Sequence, residues 1–297
     1  MALLRALPAS LLALSTLSLA PARPLVATSA NESQPFGQGG ALVWTDARRE
    51  FPLLHLGLGD VRLRLTDGRT LRMNPRGTLA AAGGLSGRLL VLTIVRGGNS
   101  DLVLADRAAH DTRPLQRVNT RAWEWRGTLL QNRLLFGRIE FSAHRFQIAL
   151  ANLGSGRVRI LDTVEGHAAY AEPGQIAGRY AVWARCPDNL CSIVRYDLAT
   201  GRIVRVPNGA AYSNPIYAPS VDARGAVYYA RSTLRCGSGV ELLRWTPGSR
   251  PATVALLPDG FDVRFSSTES IPGGTRVLFD RVDCARKTAD VYAVDDR

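Results

Sequence analysis

The feature that most constrains the fold is a repeat with a period of about 45 residues. In each full copy, two or three apolar or aromatic residues are followed by one further residue and then by arginine; the two earliest copies are looser and end in threonine. The six copies are Leu42–Thr45, Leu90–Thr93, Leu135–Arg138, Val182–Arg185, Tyr228–Arg231 and Leu278–Arg281. The spacings between their last residues are 48, 45, 47, 46 and 50. A sequence this regular predicts one repeated structural unit.

Each copy sits in a group of short strands separated by glycine-centred turns. After Val182–Arg185, for example, come the apolar run 193–196, a turn ending at Gly201, and the run 202–205. A further strand fits between successive copies, at 122–125, 168–170, 215–217 and 262–265. Alternating, β-branched and aromatic residues between such turns are typical of hairpins. Four short strands in each of six repeats predict an all-β fold, a six-bladed β-propeller of four-stranded antiparallel blades. A β-sandwich is the alternative, but it does not require hairpins at a constant period.

The repeats resemble those of the periplasmic TolB-type propeller family. Ala289–Asp295 is similar to the family's Asp-aliphatic-Tyr-x-aliphatic-Asp strand, and 193–201 is similar to it as well. Pro219–Gly225 stands where the family has a tighter Ser-Pro-Asp-Gly turn. The resemblance covers roughly residues 40–297 and is one of repeats alone, including WD40-like repeats. It implies a propeller fold, and it does not carry over the family's role in envelope assembly.

The last repeat stops at Arg297 after its third strand, which leaves one sheet edge open. An unpaired edge invites association with another chain, so something must cover it. We expect the segment near Leu25–Ser29, or residues just beyond it, to supply the closing strand.

The first residues read as a secretory signal. A short region with Arg5 precedes an apolar run from Leu11 to Ala20, which is too short to span a bilayer comfortably. We expect residues 1–30 to be a signal peptide, with cleavage after Ala20 as the alternative, and residues 31–297 to form a single propeller domain. An uncleaved N-terminal anchor is the other reading. The prediction is a secreted, periplasmic or envelope protein without a transmembrane span after cleavage.

An even number of cysteines in an exported chain indicates disulfides. The four are Cys186, Cys191, Cys236 and Cys284, which allow three connectivities. Cys186 and Cys191 face each other across a single hairpin, and Cys236 and Cys284 occupy matching loops of adjacent blades, so these two pairings are favoured. A metal site is disfavoured, because no second close pair or histidine lies at ligand spacing.

The chain carries a formal net charge of +12, and Lys287 is its only lysine. A basic surface attracts polyanions in general. The basic residues are spread out, and arginine usage that reflects a GC-rich genome is the favoured explanation. No nucleic-acid-binding module shows itself by motif, so we expect no specific nucleic acid. The partner is predicted to be a protein or an anionic envelope polymer, and the chain a monomer.

The candidate binding residues lie around the presumed mouth of the propeller channel. One hypothesis is a partial ring of arginines that binds an anion; the favoured alternative is pairing of these arginines with Asp197, Asp280 or Asp283. Loop residues between blades complete the candidate set, because varied loops on a repetitive scaffold carry specificity. The set is Arg121, Trp123, His167, Tyr212, Asp262, Arg138, Arg185, Arg231 and Arg281.

No catalytic constellation, metal site or cofactor motif is found in the sequence. The four histidines have no ligand spacing, and no Gly-x-Ser-x-Gly elbow occurs. The function predicted is an exported, non-catalytic binding or scaffold protein. The alternative is a hydrolase or lyase that acts on a carbohydrate or lactone at the channel mouth, with Glu124, Glu165 and Asp262 as candidate carboxylates. A third hypothesis is a partner in a larger complex that stacks through its outer strands.

Overall fold

The computed structural model describes residues 21–297 except 52–53, 55, 110, 188–190, 208–215 and 233–238. These residues form β-strands almost throughout, with a 3-10 turn at Phe141–Ala143. The strands in chain order are β1 (Arg23–Val26), β2 (Asn31–Gln38), β3 (Ala41–Phe51), β4 (Leu56–Arg64), β5 (Thr70–Arg72), β6 (Leu79–Ser86), β7 (Leu89–Arg96), β8 (Asn99–Asp106), β9 (Asp111–Pro114), β10 (Trp123–Leu130), β11 (Arg133–Glu140), β12 (Arg145–Asn152), β13 (Val158–Glu165), β14 (Tyr170–Ala177), β15 (Tyr180–Cys186), β16 (Ser192–Asp197), β17 (Ile203–Arg205), β18 (Ile216–Val221), β19 (Val227–Arg231), β20 (Val240–Trp245), β21 (Ala252–Leu257), β22 (Phe261–Ile271), β23 (Gly274–Asp283) and β24 (Thr288–Asp296).

Four of the sheets are separate four-stranded antiparallel sheets. Three consist of consecutive strands, β10–β13, β14–β17 and β18–β21, and the fourth combines β22–β24 with β1. The repeated apolar motif forms the second strand of each of them, in β11, β15, β19 and β23. The all-β propeller predicted from the repeat is therefore confirmed.

The remaining eight strands, β2 to β9, form one continuous sheet instead of the two separate blades predicted. The connection is a single pair, Gly59 of β4 opposite Ala80 of β6. It exists because β5 is only three residues long and covers only Arg62–Arg64 of β4. The first part of β4 therefore keeps an edge that β6 can reach.

The chain's N-terminal strand closes the ring. In β1, Arg23 pairs with Ala293, Pro24 with Tyr292, and Val26 with Val291. β1 is the outermost strand of its sheet, which is the position at which a proline such as Pro24 is tolerated in a sheet. The predicted closure by the segment near Leu25 is confirmed, with the strand beginning two residues earlier.

Apolar cores fill the space between neighbouring sheets. The largest joins β10–β13 to β14–β17 and includes Trp125, Leu135 and Trp183, each without solvent exposure. Gly137 lies against it, and a Cβ there would stand 2.5 Å from the Trp125 indole nitrogen. Burial of this kind is the main stabilising contribution to a stack of sheets.

The first strand of each repeat lies innermost. β2, β6, β10, β14, β18 and β22 contact one another in a closed ring. Each of them shifts register near its middle, where two residues oppose one on the next strand. The six bulged pairs are 34–35, 83–84, 126–127, 174–175, 218–219 and 264–265. A bulge bends its strand and increases the local twist, which suits strands that surround an axis.

Side chains cross this axis at the level of the bulges. Arg126, with φ of 51°, is fully buried and forms an ion pair with Glu172 of β14. Its guanidinium carbon also lies 5.0 Å from the ring centroid of Phe265 in β22. Gln175 of β14 exchanges hydrogen bonds with Thr268 of β22, of 2.8 and 3.0 Å. The axis is therefore filled by side chains at this level.

Candidate functional site

The four repeated arginines are each half-buried near the end of a second strand. Arg138 donates from Nε to Glu124, at 2.9 Å, and from Nη2 to the Val118 carbonyl, at 2.9 Å. The Arg185 guanidinium lies 3.3 Å from Asp162, which belongs to the preceding sheet. These two charges are engaged by carboxylates.

The other two arginines are also in contact with the protein. Arg231 donates from Nε to Glu241 at 2.7 Å. Arg281 stacks over Phe261 and Tyr292, with its guanidinium carbon 4.4 and 4.0 Å from the ring centroids. The binding role of the arginines stays a prediction.

The prediction that these arginines pair with Asp197, Asp280 or Asp283 is wrong. Asp197 pairs with Arg179, and Asp283 accepts from the backbone of its own turn. Asp280 accepts the backbone N–H groups of the bulged pair Arg264 and Phe265, at 2.9 and 2.7 Å. The observed carboxylate partners lie on strands hydrogen-bonded to the arginine's own strand or on the neighbouring sheet. Which carboxylate meets an arginine there depends on the register of the paired strands, and the repeat period of the sequence does not reveal that register.

The predicted loop residues fall in different places. Tyr212 lies outside the described residues. Asp262 is buried and accepts a hydrogen bond from the Tyr217 hydroxyl at 2.6 Å. His167 is exposed, and its ring centroid lies 4.0 Å from that of His144. Arg121 and Trp123 are the two candidates that the structure brings together.

Arg121 and Trp123 line a groove of about 490 Å³ at the start of β10, which we call the Trp123 groove. Its other lining residues are Thr120, Ala122, Ile139, Glu140, Phe141 and Ser142. The Trp123 ring lies 4.9 Å from Phe51 at 34° and 5.2 Å from Phe141 at 85°. Tilted and edge-to-face contacts with two neighbouring rings hold the Trp123 ring in place. Arg121 beside it is exposed.

A hydrogen-bonded turn holds Trp123 at the start of its strand. The Thr120 hydroxyl donates to Glu124 at 2.7 Å and accepts the Ala122 N–H at 3.1 Å. Burial raises the pKa of the Glu124 carboxyl, and the hydrogen bonds from Thr120 and the charge of Arg138 oppose this shift. Glu124 therefore serves as the anchor of the turn.

The same turn occurs before β2. There Thr28 donates to Glu32 and accepts the Ala30 N–H at 3.1 Å, and Glu32 is 1 % exposed. Both segments have the sequence Thr-x-Ala-x-Glu, at 28–32 and 120–124. The sequence prediction missed this motif, although its two occurrences, 92 residues apart, were a signal that could have found it.

The three carboxylates considered for catalysis have separate sets of partners. Glu124 bonds Thr120 and Arg138, Glu165 bonds Arg145 at 2.6 Å, and Asp262 bonds Tyr217. Within the described part of the chain, no group of three or more His, Cys, Asp and Glu side chains is placed to hold a metal ion. The residues that line the Trp123 groove include an aromatic ring, the Arg121 cation, the Glu140 carboxylate and two hydroxyl groups.

The hairpin disulfide predicted between Cys186 and Cys191 is confirmed, with a Cα–Cα distance of 4.0 Å. Cys284 is disulfide-bonded as well, and its predicted partner, Cys236, lies outside the described residues. Among the described residues, no helix has the length and apolar character needed to cross a membrane.

Comparison with solved structures identifies propellers. A protein assigned as TolB from Agrobacterium tumefaciens has a TM-score of 0.62 at 14 % identity, over 91 % of this chain and 92 % of that one. A luciferin-regenerating enzyme has a TM-score of 0.59 at 10 % identity, over 93 % and 95 %. The β-propeller domain of the trilobed protease from Pyrococcus furiosus has a TM-score of 0.54 at 9 % identity, over 93 % and 95 %.

No protein-family model and no curated protein matches the sequence. The similarity to solved structures is one of fold, and the resemblance to TolB-type repeats is confirmed at that level. The chain is similar in architecture both to a TolB protein and to propellers of enzymes.

Proposed function

We propose that this chain is an exported, non-catalytic β-propeller that binds a protein or an anionic polymer of the cell envelope through the Trp123 groove. The observation that carries the proposal is the half-buried Trp123 ring, fixed between Phe51 and Phe141 beside an exposed arginine, Arg121. An aromatic face next to a cation suits a ligand with ring or apolar groups and negative charge. The formal charge of +12 favours the approach of such a ligand.

The scaffold of this function is proposed to have six blades. The closed ring of six inner strands supports this count, as does the bulge at the same level of each. The eight-stranded sheet then counts as two blades, β2–β5 and β6–β9, since only the pair Gly59 and Ala80 joins them.

Export is proposed with cleavage after Ala20 in preference to Ala30. Strand β1 at Arg23–Val26 pairs with β24, and Thr28 bonds the buried Glu32. Cleavage after Ala30 would remove both. The disulfide between Cys186 and Cys191 and the similarity to a TolB protein support an envelope location.

An enzymatic function is the second candidate, because two of the similar structures are a luciferin-regenerating enzyme and a protease domain. A hydrolase or lyase acting on a carbohydrate or lactone would have to use Glu124, Glu165 or Asp262. Turnover of model substrates that is lost in Glu124→Gln, Glu165→Gln or Asp262→Asn would replace the binding proposal.

The binding proposal is tested with purified protein and polygalacturonate, a soluble anionic polysaccharide, and with wall teichoic acid as a second probe. Trp123→Ala and Arg121→Ala are each expected to weaken binding about tenfold, equivalent to about 1.4 kcal/mol. Arg250→Ala is the matched control, since Arg250 is an exposed arginine outside the groove. Equal losses in Arg250→Ala and Arg121→Ala would show that net charge alone drives binding and would contradict the proposal.

A further inference from the structure

A second concave site lies at the opposite end of the axis from the Trp123 groove. Trp123 is the first residue of β10, whereas Leu129 and Leu130 at the end of that strand line a cavity of about 240 Å³. The ends of β2, β6, β14 and β22 line it as well, so four further inner strands converge there. We call it the axial cavity.

The axial cavity has one apolar wall and one acidic wall. The apolar side is built by the buried side chains of Leu85, Leu129 and Ile176. The acidic side carries Glu269, which is 8 % exposed and is the one ionisable residue that lines the cavity within the described chain. A buried carboxylate beside an apolar surface is costly unless it has a cationic or hydrogen-bonding partner.

The protein satisfies only one of the two Glu269 carboxylate oxygens. Oε1 accepts the Gly40 N–H at 2.9 Å. Oε2 has no hydrogen bond to any described residue, and its ion-pair contact, with Arg276 Nη1, is 3.8 Å long. Arg276 is instead directed at Asp295, to which it donates at 2.7 and 3.2 Å.

The neighbouring charged groups leave the Oε2 oxygen of Glu269 without a close cationic partner. Arg276 is neutralised by its bidentate contact with Asp295, which is the stronger arrangement of the two. Arg23 also lies 4.0 Å from Asp295, so that carboxylate has two cationic partners, whereas Glu269 Oε2 has only the 3.8 Å contact with Arg276. A cationic group in the cavity would complete the pairing of this oxygen.

Gly37 keeps the carboxylate accessible. A Cβ built on Gly37 would stand 2.8 Å from Glu269 Oε2 and 2.7 Å from a methyl carbon of Leu278. Any larger residue at position 37 would force the carboxylate out of its place. The glycine thus preserves the space in which Oε2 sits.

The cavity is closed toward the centre of the molecule. The Gln175 side chain bridges β14 and β22 by accepting the Thr268 N–H at 2.8 Å and donating to the Thr268 carbonyl at 3.0 Å. Both ends of this amide are used within the protein. A ligand must therefore enter from the outer end and can be only small, since drug-sized ligands occupy cavities of roughly 300–1,000 Å³.

We propose that the axial cavity binds a primary ammonium group carried on a short alkyl chain. The ammonium would contact Glu269 Oε2, and the alkyl chain would lie along Leu85, Leu129 and Ile176. A free alkylamine and the side chain of a lysine on a partner share this chemistry. The proposal is independent of the Trp123 groove, which lies at the other end of the axis.

The test is a titration of the full chain, followed by NMR chemical shifts or calorimetry, with n-butylammonium and with Nα-acetyl-lysine amide. The neutral probe n-butanol is the ligand control. Glu269→Gln is expected to weaken ammonium binding at least about tenfold. Glu165→Gln, which alters an exposed carboxylate outside the cavity, is expected to leave it unchanged. Trp123→Ala should also leave ammonium binding unchanged. The cavity proposal and the groove proposal can therefore be contradicted independently of each other.

A second variant covers the case in which Glu269→Gln does not fold. Ser270 is exposed at the cavity wall, so Ser270→Trp should fill the cavity and abolish binding without touching the carboxylate. Binding of butylammonium alone would identify a free amine as the ligand, and binding of the lysine probe alone would identify a partner's side chain. Saturation by butanol with equal affinity, undiminished binding in Ser270→Trp, or no binding of either ammonium would overturn the proposal.

Discussion

The spaces between the sheets and the axis at which the sheets meet are built from different chemistry. Between β10–β13 and β14–β17 the contacts are apolar, with Trp125 and Trp183 fully buried. On the axis the buried groups include the charged residues Arg126, Glu172 and Asp280. Apolar packing is non-directional, so it holds neighbouring sheets together without fixing the angle between them. Directional bonds across the axis connect particular strands and so fix the ring.

The bulges explain why the axis requires polar groups. At each bulge two residues face one on the neighbouring strand, so a backbone N–H loses its usual partner. In β22 the Asp280 carboxylate replaces that partner by accepting from both Arg264 and Phe265. In β10 the Arg126 N–H donates to the Thr93 hydroxyl at 3.0 Å.

The largest expected effect is on the axis. Arg126→Leu removes the partner of the buried Glu172 and should lower the free energy of unfolding by about 3–5 kcal/mol, measured by denaturant unfolding. Arg126 has no solvent exposure, and this burial lowers its pKa.

The double variant Arg126→Leu with Glu172→Leu separates the two contributions. If the cost comes from an uncompensated buried charge, the double variant should recover most of the loss. If the double variant is as unstable as Arg126→Leu alone, the loss does not come from an unpaired buried charge. The contrast between an axis held by directional polar bonds and apolar spaces between the sheets would then be contradicted.

A smaller loss is expected between the sheets. Gly137→Ala places a Cβ 2.5 Å from the Trp125 indole nitrogen and 3.1 Å from Pro173, and should destabilise by about 2 kcal/mol through overpacking. Gly154→Ala is the control, because its nearest atom is 3.4 Å away. Equal unfolding midpoints for the two variants would mean that the sheets can move apart at little cost.

The smallest effect concerns pH. Burial raises the pKa of Asp280 above its ordinary value, although the N–H bonds of Phe265 and Arg264 oppose the shift. The folded state therefore binds this proton more tightly, and the resulting stability is present below the unfolded pKa and is lost as pH rises through the folded pKa.

Asp280→Asn keeps the accepting oxygen but cannot ionise. Its stability relative to the wild type should rise as pH increases above about 4, by about 1.4 kcal/mol for each pH unit that separates the two pKa values. Unfolding curves between pH 4 and 8 measure this. A constant difference across the range would contradict it.

The sequence repeat predicted the positions of the strands in the sheets well, but it predicted little of how the sheets meet. The motif copies fall within β3, β7, β11, β15, β19 and β23, because apolar alternation and turn glycines are local signals. Closure by β1 was also predictable, since a sheet edge was left open. The junction at Gly59 was not, because it depends on how far the short β5 extends.

The site was predictable only in part. Arg121 and Trp123 were identified from their loop, and they share one groove. Arg126 could not be distinguished in a chain rich in arginine, because its burial follows from a bulge whose register no sequence pattern reveals. Glu269 was missed for the same reason: its exposure to the axial cavity depends on where Arg276 points.

Closure by β1 has a consequence for how the protein is made. Residues 23–26 are synthesised long before their partners at 291–293. The ring can therefore be completed only after residues 291–293 have emerged, and a loop that spans most of the described chain must close in that step. Until then the outer edge of β24 is exposed to other copies, so this late step in folding is expected to be sensitive to protein concentration.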